Sequence, residues 1–519
     1  MFKQARPIFF VTLFLAAPML RADVKLPAII GDNMALQQGI AVPIWGWADP
    51  GEEVSVTIAG QTKSAKAGDD KKWSVKLDAL KAGGPLEMTV KGKNTLTLKN
   101  ILVGEVWVCS GQSNMEFSTN GAMNAAQEKA DAKFPNIRLF TVKKSVKEEP
   151  QSDCEGKWVE CSPETVGSFS AVGYFFGRHL YKELNVPIGL IHTSWGGTPA
   201  EAWTTIATMQ ADPDLKPIVD RFEKAKTDDT PEAFAKKQAK FKDDLEKFKA
   251  DQAAAKAENK PFTKQPPRAP LHAANQNSPA TLYNGMIAPI VPYAIAGATW
   301  YQGESNAGRA MQYRKLLPAM IGDWRKAWGE GDFPFMIVQL ANYMKRNPEP
   351  GDSQWAELRE AQTLTAINTP KTGIGLAIDI GDATNIHPTN KQDVGLRLAL
   401  QALKIAYNKD IPFSGPMYDS MSVEGSAIRL KMKYTFGGLV AKDGDLKGFA
   451  IAGDDKKFEW ANAKIDGDSI VVSSDKVAKP VAVRYAWADN PDCNLYNKAN
   501  LPAVPFRTDN WKGVTEGRN

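Results

Sequence analysis

Only four histidines and four cysteines are spread over 519 residues. No His-Glu-x-x-His and no Cys-x-x-Cys occurs among them, so the sequence offers no grounds for a zinc hydrolase or a thioredoxin-like enzyme. Gly-x-Ser-x-Gly is absent too, which removes the lipase-type nucleophile elbow. Charge of one sign is also lacking. The formal net charge is +5, and it falls to +2 without Lys3, Arg6 and Arg21 of the leader described next. A near-neutral protein gives no electrostatic case for nucleic acid. Apolar runs long enough to span a bilayer are missing as well.

The longest apolar stretch, Pro7 to Leu20, lies in MFKQARPIFFVTLFLAAPMLRA, with a basic start and a small residue at Ala22. That pattern is a secretory signal peptide over residues 1–22, so a secreted or periplasmic protein without stable membrane insertion is expected. Export permits disulfides. Cys154 and Cys161 are close enough in sequence to bridge a small loop, whereas Cys109 sits in an apolar run and reads as a buried thiol.

Three regions follow. Residues 23–100 hold short, partly alternating runs (AVPIWGWA, EEVSVTIAG, WSVKLDAL, LEMTVKG) that read as a small β-domain. Residues 101–408 change rhythm. Apolar strand candidates ILVGEVWVCS, IRLFTV, PIGLIHTS, AIAGATWY, FPFMIVQL and GIGLAIDIG alternate with helical patterns. Such alternation predicts a parallel sheet covered on both faces, with ligands bound beyond the carboxyl ends of its strands. Within this region, residues 220–267 read as a charged helical insertion opened by Thr230-Pro231, a fitting N-cap and first-turn pair. Residues 409–519 return to short strands, AIRLKMKY, GFAIAG, SIVVSS and VAVRYAWA, and read as a second β-domain.

Polar residues cluster where the strands of the middle region end. VWVCSGQSNMEF delivers Ser113 directly after the first strand. A serine needs a base, and histidine is the usual one. His179 falls in a helical pattern and His272 in a Pro-rich return. His387, after the last strand, suits an early nucleophile best, with His192 as its competitor. IHTSWGGTPAEAW offers Gly196 and Gly197 for close backbone approach. TWYQGESNAG offers Gln302, Glu304 and Asn306.

The set GQSNM, SWGGTPAEAW, LYNGMI, WYQGESN and IHPTNKQDVGLRLA resembles the sialate O-acetylesterase family, within the SGNH-hydrolase superfamily. The resemblance spans nearly the whole chain after the leader, except the helical insertion. It implies an α/β class protein: a three-layer α/β/α SGNH domain flanked by N- and C-terminal β-sandwich-like domains. It also implies hydrolysis of acetyl esters on an O-acetylated sugar or polysaccharide, with no cofactor and no metal. Ser113 would be the nucleophile and His387 the base. The oxyanion hole would be the Ser113 N–H, a glycine of Gly196-Gly197, and the side chain of Gln302, with Asn306 as fallback. Relatives place an aspartate three residues before the histidine, where this chain has Thr384. Asp382 is the first candidate to orient His387. Asp379, Glu304 and a plain Ser–His dyad are the alternatives. Trp195, Trp300 and Glu304 are candidates for touching the sugar. Acetylxylan, another plant or algal polysaccharide, or a decayed sugar-binding site are the competing readings.

Overall fold

The computed structural model describes residues 23–519, so the expected leader lies outside the described residues. Period-two patterning shapes the first strands. Glu53–Ile58 buries Val54, Val56 and Ile58, and Lys72–Leu77 buries Trp73, Val75 and Leu77. Val42–Trp47 pairs antiparallel with Lys72–Leu77. A second set, Gln61–Lys66, Glu53–Ile58 and Gly83–Lys91, leads onto the strand Thr95–Gly111.

That strand is seventeen residues long. Its first part pairs with Gly83–Lys91 and Ala35–Gln37, and its second part lies in the middle of the central sheet. The boundary expected between residues 100 and 101 therefore falls inside one strand, because the apolar run simply continues a pairing begun at Thr95. A single buried core spans both sides of it.

The central sheet runs Thr372–Gly375, Phe335–Val338, Gly297–Tyr301, Thr95–Gly111, Ile188–Ser194 and Phe134–Thr141, all parallel. All six expected strands are present. A seventh, Trp158–Cys161, closes one edge antiparallel, so the sheet is mixed rather than wholly parallel. At four residues, it is too short to show a period in the sequence. Trp107 packs on Phe176 of the helix Ala171–Leu184, while Trp300 packs on Trp324 of the helix Ala310–Trp328. Register places these two tryptophans on opposite faces, so helices cover the sheet on both sides. The chain leaves Thr95–Gly111 toward one edge and later returns to its other side. The carboxyl end of that strand is thus the topological switch point, where α/β sheets hold their ligands.

The insertion is two helices, not one. Lys216–Asp228 ends before Asp229, and Pro231–Ala257 then begins with the Thr230 hydroxyl accepting from the Ala233 N–H at 3.2 Å. No residue of the second helix is buried. Its base is closed by His272, which contacts Asp229 at 3.0 Å and stacks on Phe234.

After residue 409 the strands Ala427–Lys433, Phe449–Ala452, Ser469–Ser473 and Ala482–Tyr485 form antiparallel pairings around a separate core. All four cysteines are free thiols, Cys154 and Cys161 included.

Candidate active site

The end of the central strand is built for a sharp exit. Gly111 has φ +139°, and a Cβ there would lie 2.2 Å from the Tyr301 carbonyl oxygen, so only glycine allows this approach. The Gln112 N–H donates to that same carbonyl at 2.9 Å. Ser113 then opens the short helix Ser113–Glu116. Its own N–H meets no acceptor among the described residues.

His387 arrives from 274 residues away. It sits in the loop between Thr372–Gly375 and the helix Lys391–Ile405, whose first turn is capped by Asn390. His387 Nε2 stands 2.8 Å from Ser113 Oγ. Burial, and then the positive charge of Lys391, hold His387 below the usual imidazole value. No carboxylate among the described residues hydrogen-bonds to its ring. The pair faces a cleft of about 590 Å³ that Glu116, Phe117, Lys143, Lys144, His192 and Ser194 also line. A larger cleft, about 640 Å³, opens at the amino ends of the strands around Gln37, Glu105, Glu330 and Tyr407, away from Ser113.

The other expected residues divide. Gly196 packs directly on Ser113: a Cβ on it would lie 3.2 Å from the serine's Cβ. Its N–H, however, donates to Glu116 at 2.6 Å, and Glu116 is paired with Lys144 at the same distance. Gly197 is exposed with φ +76°. Trp195 is half-buried beneath the Lys144 ammonium. His192 does not compete for Ser113. Its Nε2 meets Ser194 Oγ at 2.6 Å, and burial pushes it down to about 4.

Four expectations are corrected. Gln302 is fully buried and donates to Asn306 Oδ1 at 2.7 Å and to the Thr198 carbonyl at 3.2 Å. Asn306 accepts from the Ala200 N–H and donates to Glu201. Both amides hold the loops together and neither is free for an oxyanion. Trp300 is a core residue between Trp203 and Trp324, out of reach of a sugar. Asp382 accepts from the Thr384 N–H at 2.7 Å, the Thr384 hydroxyl at 2.8 Å and the Asn385 N–H at 3.1 Å, organising its own turn. The alternative Asp379 is held by Arg397 and Tyr496.

Glu304 reaches the site indirectly. Its Oε1 accepts from Asn114 Nδ2 at 2.6 Å, while Asn114 Oδ1 accepts from Lys391 Nζ at 2.5 Å. Asn114 and Lys391 were not among the expected site residues. Both lie inside motifs already singled out, Asn114 directly after Ser113 and Lys391 four residues after His387.

With this geometry in view, likeness to known proteins decides the family. The model of the carbohydrate esterase, sialic acid-specific acetylesterase family matches residues 103–234 and 272–404. Rat sialate O-acetylesterase is 30% identical over 96% of this chain and 98% of its own length. The human sialate O-acetylesterase is 30% identical over 93% of this chain and 92% of its own. The chain belongs to this family. It is thus a carbohydrate esterase, a carboxylic ester hydrolase. A solved carbohydrate acetylesterase from Xanthomonas citri is similar at 36% identity, with a TM-score of 0.79 over 94% of this chain and all of that one. The gap in the esterase family match, residues 235–271, falls on the exposed second helix of the insertion and the return that follows it.

Proposed function

We propose that this esterase removes acetyl groups from sugars through a Ser113–His387 dyad on an SGNH-type three-layer domain. The observation that carries the proposal is the 2.8 Å contact between His387 Nε2 and Ser113 Oγ at the switch point of the sheet. Ser113 Oγ attacks the acetyl carbonyl carbon while His387 Nε2 takes its proton. The tetrahedral oxyanion meets the Ser113 N–H at the start of the short helix. Collapse breaks the bond to the sugar oxygen, which leaves with the proton from His387. Water, deprotonated by the same nitrogen, then hydrolyses acetyl-Ser113 and releases acetate.

The sugar would enter the cleft between Phe117 and the Lys143–Lys144 segment, with Trp195 at its edge. Acetylated sialic acid is the first substrate class, since it is the one named for the mammalian relatives. The test is acetate release from acetylated sialic acid and from acetylated xylan, by the protein and by Ser113→Ala. Release that the substitution abolishes is expected on at least one substrate. Release that survives Ser113→Ala would refute the serine mechanism, and sugar binding without release would mark a decayed site.

A further inference from the structure

Beneath the Ser113–His387 pair lies a group of buried polar side chains for which the proposed acyl transfer has no step. Lys391 is wholly buried at the start of its helix. Its Nζ donates to Asn114 Oδ1 and sits 4.9 Å from the centre of the Phe117 ring and 5.2 Å from that of Tyr301. Asn114 uses its amide nitrogen twice, toward Glu304 Oε1 at 2.6 Å and toward the Ile386 carbonyl at 3.0 Å. The residue after the nucleophile is thereby tied to the residue before the histidine. Glu304 Oε2, also buried, has no hydrogen-bond partner among the described residues.

We propose that Lys391 is a positioning residue for the Ser113–His387 pair, fixing the two chain segments through Asn114 and presenting a positive charge to the base. The inference rests on the dyad reading above. Lys391 and Glu304 make no direct ion pair. Asn114 stands between them, so the ammonium is only partly neutralised. Burial pulls Lys391 down to about 7, Glu304 opposes that fall, and burial raises Glu304 itself. An ammonium near His387 disfavours the imidazolium and keeps Nε2 free to accept the Ser113 proton.

The other charged groups around His387 are compensated. Glu116 is paired with Lys144, and Lys143 with Glu155. Asp382 is engaged in its own turn. His192, pushed down to about 4, carries no charge at neutral pH. Lys391 is thus the cation that acts on the base, and Glu304 is the group that sustains it.

The test is the titration of His387 by ¹H–¹⁵N NMR of imidazole-labelled protein, which four histidines keep resolvable. Wild type, Lys391→Met and Glu304→Gln are compared, with His387→Gln assigning the signal. The His387 midpoint is expected to rise in both variants, in Lys391→Met because the cation is gone and in Glu304→Gln because the cation loses its support. The ratio of kcat at pH 8 to kcat at pH 5.5 should increase roughly threefold or more, with KM little changed. A His387 midpoint that stays put in both folded variants would overturn the inference. If Lys391→Met does not fold, the near-isosteric Glu304→Gln decides alone. The NMR titration needs no turnover, so its outcome is separate from that of Ser113→Ala.

Discussion

Asp382 gives its carboxylate to Thr384, three residues before His387. Asp382 is therefore consumed by its own turn and does not reach the imidazole. His387 is left with Ser113 on its Nε2, its own backbone N–H on Asn385, and, among the described residues, no carboxylate hydrogen-bonded to its ring.

Asp382→Asn should accordingly leave kcat/KM within about tenfold of wild type, with the loss coming from a looser turn. His387→Ala should cost about a thousandfold or more, because proton transfer disappears with the ring. Steady-state acetate release on both variants checks this. A loss for Asp382→Asn that rivals His387→Ala would restore the aspartate as a third member.

His387 must be neutral to act as base. Its folded value lies below the ordinary imidazole value of about 6.5, through burial and then Lys391. More than half of it is thus neutral at pH 6.5, and the acidic limb of the kcat/KM profile should have its midpoint below that pH. A midpoint above 6.5 in low-salt buffer would contradict the electrostatics described here.

Glu330 provides a pH effect on stability far from the chemistry. Burial raises it to about 7, with the Ile295 N–H as a weak opposing contact. The folded protein then holds this proton more tightly than the unfolded chain between pH 4.5 and 7. Its contribution is most favourable at low pH and is lost as pH rises through 7. Glu330→Gln should stabilise by about 1–2 kcal/mol at pH 8, partial solvent access included, and by little at pH 4. Urea unfolding at the two pH values measures the difference.

The helix Pro231–Ala257 contributes no buried residue, and the chain that leaves into it and returns is closed at its base, where the Ala273 N–H donates to Asp229 at 2.8 Å. Replacing residues 235–271 with a short Gly-Ser linker should keep acetate release on a small substrate within about twofold and shift Tm by only a few degrees. Activity that falls more than tenfold in the shortened, folded protein would give the helix a part in turnover.

The strands and the Ser113–His387 pair were legible in the sequence because each leaves a local mark: a six- to ten-residue apolar run, or a motif at its end. The Thr230-Pro231 helix start was legible for the same reason. The failures share another cause. Gln302, Asn306 and Trp300 occupy the right stretch of chain, but which way each side chain turns depends on partners such as Thr198, Glu201 and Trp324 from elsewhere. Lys391 reads as an ordinary solvated lysine in a helix's first turn. The arrival of Asn114, 277 residues earlier in the chain, together with Phe117 and Tyr301, makes it a buried cation.

The seventeen-residue strand Thr95–Gly111 is a shared spine about 55 Å long. The front β-module and the sheet behind Ser113 share this strand and one buried core, so the melting of either should be coupled to that of the other. Such a module is less a detachable accessory than a splint. Cold or denaturant that loosens Glu53–Ile58 or Gly83–Lys91 should be felt at the nucleophile before any residue of the cleft has been touched.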